Sequence, residues 1–326
     1  MGNEQGLPKS RHFQLRQLTD GIYTAIQTPD GWAVGNAGIV DLGDHTIVFD
    51  TFLTSQAATD LCRAAETLTG RPVTTVINSH FHPDHWWGNQ VFDPNTNIIA
   101  TTATRELMAT KGVQAVSWHQ ENTSAHLADL EKRQQAAKTE KERQPLAMRL
   151  RYYQGVAATL PTLTLRLPNV TFDSRLVLHG THRRAEVVTY GAGHTQGDAC
   201  LYLPAEGILF AGDLVSVHNH PYLADGDPGE VSRILDIIGK LKPKIVIPGH
   251  GEIGDMEDVQ STARYITTLA EMALIELTYK LENPAHLDEK IAQLAIPKPF
   301  ATWSHPDFFA DNLRFLYARL MKAYTD

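Results

Sequence analysis

The chain has 326 residues, 42% of them hydrophobic, enough for one large domain or two small ones around a sizeable core. A formal net charge of −8 argues against a nucleic-acid partner, whose binding surface calls for a basic patch. Cys62 and Cys200 are too few for a disulfide framework, no apolar run reaches the roughly 18 residues of a membrane span, and no apolar leader follows Met1, so a cytoplasmic protein with no membrane partner is expected.

Residues 1–11 read as disordered or tag-like. Residues 13–18 alternate apolar and polar side chains as an edge strand does, and 21–26, 34–40 and 46–50 continue a β-meander with glycine and aspartate turns. Thr54 or Ser55 caps a helix running to about Thr69, with Ala58, Leu61, Ala65 and Leu68 at helical spacing and Gly70-Arg71-Pro72 as its stop. The apolar run 73–78 is a short buried strand. It delivers Ser79-His80-Phe81-His82-Pro83-Asp84-His85, where three imidazoles and a carboxylate sit within six residues. Neutral imidazole and carboxylate are ligands for zinc and related divalent ions. The loop lies at the C-terminal end of a strand, where open α/β sheets place their ligands.

Residues 97–101 form another strand, after which 105–160 change character to long, charged and strand-poor, the pattern of an inserted pair or trio of helices. The charge run 138–143 reads as a solvated helix face. Strands return at 170–172, 176–178, 186–189, 200–203 and 207–210, followed by a helix over 230–241 and a strand over 244–247. Two further helices, 258–281 and 306–324, complete the C-terminal helical part, 258–326.

One loop cannot close a metal site alone. Three later segments share a form: an apolar strand, a glycine, then one candidate ligand. They are Gly191-Ala192-Gly193-His194, Ala211-Gly212-Asp213 and Pro248-Gly249-His250. Glycine permits unusual backbone angles and close approach of the chain to an ion.

These motifs, with the early strand-aspartate Ile47-Val48-Phe49-Asp50, resemble the metallo-β-lactamase superfamily, in particular its dinuclear hydrolase branch with a glyoxalase II- or lactonase-like motif set. The resemblance spans about Gly21 to His250. It implies an α/β fold, a four-layer αββα sandwich built as a single domain over 12–326, with the helices of 105–160 as an insertion and those of 258–326 at the C-terminus. It also implies that His80, His82 and His194 hold one metal, that Asp84, His85 and His250 hold a second, and that Asp213 bridges them. A hydroxide bridging such a pair attacks a carbonyl in an ester, thioester, lactone or amide, and Asp84 is the residue expected to act on its proton. Histidine at 82, where flavodiiron members usually carry glutamate, favours two Zn2+, with Mn2+ or Fe as alternatives. True metallo-β-lactamases lack an acidic bridge at the position of Asp213.

Asp50, Thr195 and Asp198 are expected to orient ligands from behind. Trp86, His218, His220 and Tyr222 are candidates for substrate contact, Tyr222 because the lactonase branch carries a tyrosine soon after the bridging aspartate. The expected partner is a small-molecule substrate, and the reading leaves room for a homo-oligomer. Three other activities compete: a phosphodiesterase of the same fold, a weak β-lactamase, and a mono-iron persulfide dioxygenase-like oxidoreductase.

Overall fold

The computed structural model, which describes residues 6–279 and 283–325, lays the early alternating segments down as β1 (Phe13–Thr19), β2 (Ile22–Gln27), β3 (Ala37–Asp41) and β4 (Thr46–Phe49). Of the leading segment 1–11, residues 1–5 lie outside the described residues. Within the rest, Leu7 packs against the core and Ser10 Oγ donates to Asp60 Oδ2 at 2.7 Å. The third strand starts at Ala37 rather than at 34, because Val34 takes a φ of 71°, outside the extended region. The first helix, α1 (Ser55–Thr69), is capped as its sequence predicts: Thr54 accepts from the Ala57 N–H, and Gly70 takes the left-handed C-cap at φ 70°.

Then follow β5 (Thr75–Ile77), the single turn α2 (Pro83–Trp86), β6 (Asn97–Thr101) and α3 (Thr102–Leu107). A π-helical turn (Met108–Gly112) leads into the insertion helices α4 (Val113–Ala136) and α5 (Glu140–Thr159). Part of the charge run forms the α5 capping box: Thr139 accepts from the Glu142 N–H, and Glu142 accepts from that of Thr139. The chain re-enters the sheet at β7 (Val170–Phe172).

The first sheet has the order β1-β2-β3-β4-β5-β6-β7, antiparallel to β4 and parallel thereafter. Parallel neighbours need crossover connections, supplied in turn by α1, by the segment that holds α2 and by the helical insertion. The second sheet is β8 (Arg175–His179), β9 (Arg184–Thr189), β10 (Ala199–Leu203), β11 (Ile208–Val217) and β12 (Ile245–Gly251), in the order β12-β11-β10-β9-β8. Its one parallel pair, β11 with β12, is connected through α6 (Pro228–Leu241). The helix expected over 258–281 is α7 (Met256–Met272) continued by a π turn (Ala273–Tyr279), and its last expected residues lie outside the described ones. Helices α8 (Leu287–Gln293) and α9 (Asp307–Thr325) follow.

Apolar side chains assign the layers. Ile22, Val40, Ile47 and Ile77 of the first sheet pack against Leu201, Phe210 and Ile247 of the second. Leu61 and Ala65 of α1 cover Val48 and Val76 on one outer face. Ile234 of α6, Tyr265 of α7 and Leu313 of α9 cover Leu209 and Val246 on the other. The result is the αββα sandwich that the motifs imply. Among the described residues, no helix is long and apolar enough to cross a membrane.

Candidate metal centre

The centre is built at the ends of parallel strands. Since β4 and β5 stop level with each other, Asp50 after β4 reaches the loop after β5. Its Oδ1 accepts from the Ser79 N–H at 2.7 Å, and its Oδ2 accepts from Ser79 Oγ at 2.7 Å and faces His85 Nδ1 at 2.8 Å. Ser79 Oγ in turn lies 2.9 Å from His80 Nδ1. One buried carboxylate thus orients two imidazoles, one directly and one through a hydroxyl. Asp50 holds a φ of 58° to do so, a conformation that an aspartate tolerates better than most residues.

The loop between β9 and β10 brings in His194. Thr195 donates to Asp198 from its N–H (3.0 Å) and its hydroxyl (2.7 Å), and the Ala199 N–H donates to the Ser79 carbonyl at 2.8 Å, which fixes this loop to the first. Asp213 follows a register shift in β11 at Gly212, φ 54°, where an added Cβ would lie 2.8 Å from Ser79 Cβ. At Gly249 a Cβ would fall 1.8 Å from Asp213 Oδ1, so only glycine admits His250 and Asp213 side by side.

Seven side chains converge in two groups: His80, His82, His194 and Asp213, and Asp84, His85 and His250. In the first, His82 Nδ1 lies 3.0 Å from both His80 Nε2 and His194 Nε2. Asp213 Oδ2 is 3.8 Å from His80 Nε2 and 3.4 Å from His194 Nε2. In the second, Asp84 Oδ2 is 3.4 Å from His85 Nε2 and 3.3 Å from His250 Nε2. Asp213 reaches this group as well, with Oδ1 3.4 Å from His85 Nε2 and Oδ2 3.4 Å from His250 Nε2. Its carboxylate is therefore common to both.

The donor set fits divalent metal. A tetrahedral ion with bonds of about 2.0–2.2 Å spaces its ligand atoms about 3.3–3.6 Å apart, near the separations above. His85 Nε2 and Asp213 Oδ1 are buried and have no hydrogen-bond partner, although buried polar atoms are nearly always paired. Four imidazoles have their outer nitrogen against an acceptor: His80 on Ser79, His85 on Asp50, His250 Nδ1 on the Val34 carbonyl at 3.1 Å, and His82 Nε2 on Asp225 Oδ2 at 3.1 Å. Donating outward leaves the inner nitrogen of each with a lone pair for an ion.

Charge follows the same plan. Burial holds His80 well below its ordinary value and His194 down to about 3, so both are neutral as ligands must be. Burial works to raise Asp84 and Asp213, but the facing imidazoles outweigh it and hold both carboxyls well below the usual range. His250 is lifted to about 10 by Asp213 and Asp84, and His85 well above its ordinary value by Asp84, Asp213 and Asp50, each against its burial, so both give up a proton when they bind an ion.

The remaining expected residues divide. Thr195 and Asp198 brace the loop that carries His194, and burial pushes Asp198 up to about 7. Trp86, expected to touch substrate, is wholly buried; its Nε1–H donates to the Phe81 carbonyl and its ring packs with Leu53, Met108 and Val156 beneath the insertion. His220 is also buried, with Nδ1 2.8 Å from the Tyr265 hydroxyl and its ring among Trp303 and Phe309. His218 is exposed and lies 4.0 Å from Asp258 of α7. The two histidines depart from expectation because the loop after β11 pairs with the C-terminal segment through Ser304, which turns 218–220 toward the helices, and Trp86 because the insertion packs over it. Tyr222 alone of the four stands at the ligands, its ring 5.9 Å from that of His82.

Two contributors carry no local signal. Asp225 sits in Ala224-Asp225-Gly226-Asp227, which reads as an ordinary turn. His305, beyond the second sheet altogether, is brought near His250; burial and that neighbour push its imidazole down to about 4.

A family model described as the metallo-beta-lactamase superfamily matches residues 30–250, which include all seven convergent side chains. Solved structures share the fold. One titled a metallo-beta-lactamase from Pontibacter korlensis is 18% identical, covering 78% of this chain and 99% of its own, with a TM-score of 0.56. VMB-1 is 20% identical over 80% and 100%, with a TM-score of 0.56, and the metallo-beta-lactamase DIM-1 is 17% identical over 79% and 98%, with a TM-score of 0.54. The two sheets, the order of the ligand-bearing strand ends and the match over residues 30–250 lead to one conclusion: this chain belongs to the metallo-beta-lactamase superfamily.

Proposed function

We propose that the chain is a dinuclear metal-dependent hydrolase that splits a small-molecule carbonyl compound (an ester, thioester, lactone or amide) and acts in the cytoplasm. The observation that carries this reading is Asp213, whose carboxylate is within 3.4 Å of ligand atoms in both groups. His80, His82 and His194 would hold one ion and Asp84, His85 and His250 the other, with Asp213 shared. The imidazole-rich set favours zinc. Two such ions supply Lewis acidity and lower the pKa of bound water toward neutrality.

The protein's own part is orientation and proton handling. Asp84 Oδ2, ionised and placed between His85 and His250, accepts a hydrogen bond from the attacking water and passes its proton to the leaving group. Asp50 keeps His80 and His85 in the tautomers that face inward. The shared carboxylate separates this set from that of true β-lactamases in the resemblance drawn above. The second group of three ligands counts against a mono-iron oxidoreductase.

The test is a panel: zinc- and manganese-loaded protein against lactones, carboxylic esters, thioesters, β-lactams and phosphodiesters. Carbonyl substrates other than β-lactams should turn over. Asp84→Asn, which keeps shape and removes charge, should abolish that turnover while the circular dichroism spectrum is unchanged. Phosphodiesters as the only substrates, or full activity in Asp84→Asn, would refute the reading.

A further inference from the structure

The ligand cluster opens to solvent on one side. The side chains of His80, His85 and His194 are at most 2% exposed, whereas His82 is 16% and His250 22% exposed. A run of rings borders that side. Tyr222 stands edge-on to His82, Phe308 lies 5.7 Å from Tyr222, and His305 stacks on Phe308 at 5.4 Å and 12°. The run begins at a ligand, His82, and ends on the C-terminal segment at His305. Tyr222, His305 and Phe308 are each half-buried, so the rings keep a free face.

This arc is held in place. The Ser304 N–H donates to the His218 carbonyl and the His220 N–H to the Ser304 carbonyl, which ties the C-terminal segment to the loop after β11. His305 takes a φ of 57°, local strain of the kind that surrounding structure maintains at binding sites. His305 and Phe308 lie beyond residues 30–250, so this border is outside the part matched to the family.

Among the described residues, the basic side chains named beside the arc are paired. Lys111 Nζ is 3.1 Å from Asp225 Oδ1 and lies over the Phe81 ring, and Arg149 is 2.6 Å from Asp307 Oδ2. Each of these cations is thus already matched by a carboxylate and is not free to bind an anionic substituent.

We infer that the substrate is an uncharged ester or lactone with an aromatic ring beside the scissile carbonyl, the ring seated against Tyr222, Phe308 and His305. The inference rests on the hydrolase reading. In the reaction, the oxygen of water bonds to the carbonyl carbon, the ester C–O bond breaks, one proton of the water goes to the departing oxygen, and the acid is released as carboxylate with the other proton passing to solvent. Ring-on-ring contact adds about 0.5–1.5 kcal/mol beyond area burial, which is about a two- to tenfold preference.

Three esters of similar intrinsic reactivity test it on the zinc-loaded protein: benzyl acetate, butyl acetate and 4-(acetoxymethyl)benzoate. The value of kcat/KM should be highest for benzyl acetate, by about two- to tenfold over each of the others. Independently of turnover, NMR titration should show acetophenone binding more tightly than 3-methyl-2-butanone, and Phe308→Leu, which keeps an apolar side chain but loses the ring, should erase that difference. Equal rates and equal binding for ring and alkyl compounds would overturn the inference, as would preference for the carboxylated ring. A ring preference in binding with no hydrolysis of these esters, nor of any carbonyl compound in the panel above, would support the recognition arc and refute the hydrolase reading instead.

Discussion

Asp225 Oδ2 lies 3.1 Å from His82 Nε2, while the other nitrogen of that ring, Nδ1, faces His80 and His194. The carboxylate is ionised, held far below its ordinary value by His82 and, after it, Lys111. It therefore keeps the proton on Nε2 and the lone pair on Nδ1, and it links a ligand to Lys111 at the start of the helical insertion. Removing such a partner typically costs about 10–100-fold in metal affinity. Asp225→Asn should weaken metal binding by about that factor in a chelator-competition assay, and Lys111→Met by less. Equal affinity in Asp225→Asn and the parent would reduce the contact to a surface hydrogen bond.

Two ligand groups with one shared carboxylate predict two metal equivalents per chain by elemental analysis. Asp213→Asn removes the charge common to both groups and should bring the content to one or fewer. A reproducible single equivalent in the parent protein would refute the dinuclear arrangement.

Tyr222 is the only substrate candidate named from sequence that stands at the ligands. Its hydroxyl and the His305 imidazole are the polar groups on the arc that belong to no ligand set or ion pair among the described residues. Tyr222→Phe keeps the ring and should leave both metal content and ring preference intact. If the hydroxyl donates to the developing oxyanion, kcat should fall by about 10²–10³. An unchanged kcat would make Tyr222 a wall and nothing more.

Away from the centre, His119 of α4 is buried, with Nε2 3.3 Å from the Tyr152 hydroxyl and its ring among Trp87 and Trp118. Burial, assisted by His126, pushes its imidazole down to about 4. The unfolded chain takes up this proton near 6.5, so the buried neutral imidazole is at no disadvantage above that pH and destabilises progressively as pH falls toward 4. The full effect is on the order of 3 kcal/mol. His119→Gln, which retains a hydrogen-bonding end, should flatten the loss of urea stability between those limits relative to the parent. Parallel curves would mean that His119 does not contribute to acid sensitivity.

Much of the centre could be read from the chain itself. His80 to His85 follow a strand within a few residues, and His194, Asp213 and His250 each follow a glycine at a strand end. Ligands so close to the strands that present them are positioned by local backbone geometry, so local patterns suffice to find them. Alternation and apolar runs also marked most strands and helices, while the αββα layering came from the resemblance that the ordered motifs carry. Only the tertiary structure decided what surrounds the ions. Asp225 reaches His82 across 143 positions, and Arg149 reaches Asp307 across 158. The same packing turned His218 and His220 away toward the helices and put Trp86 in the core. Such contacts depend on how loops and C-terminal helices dock, and docking is governed by burial summed over many side chains, which no short stretch of sequence encodes.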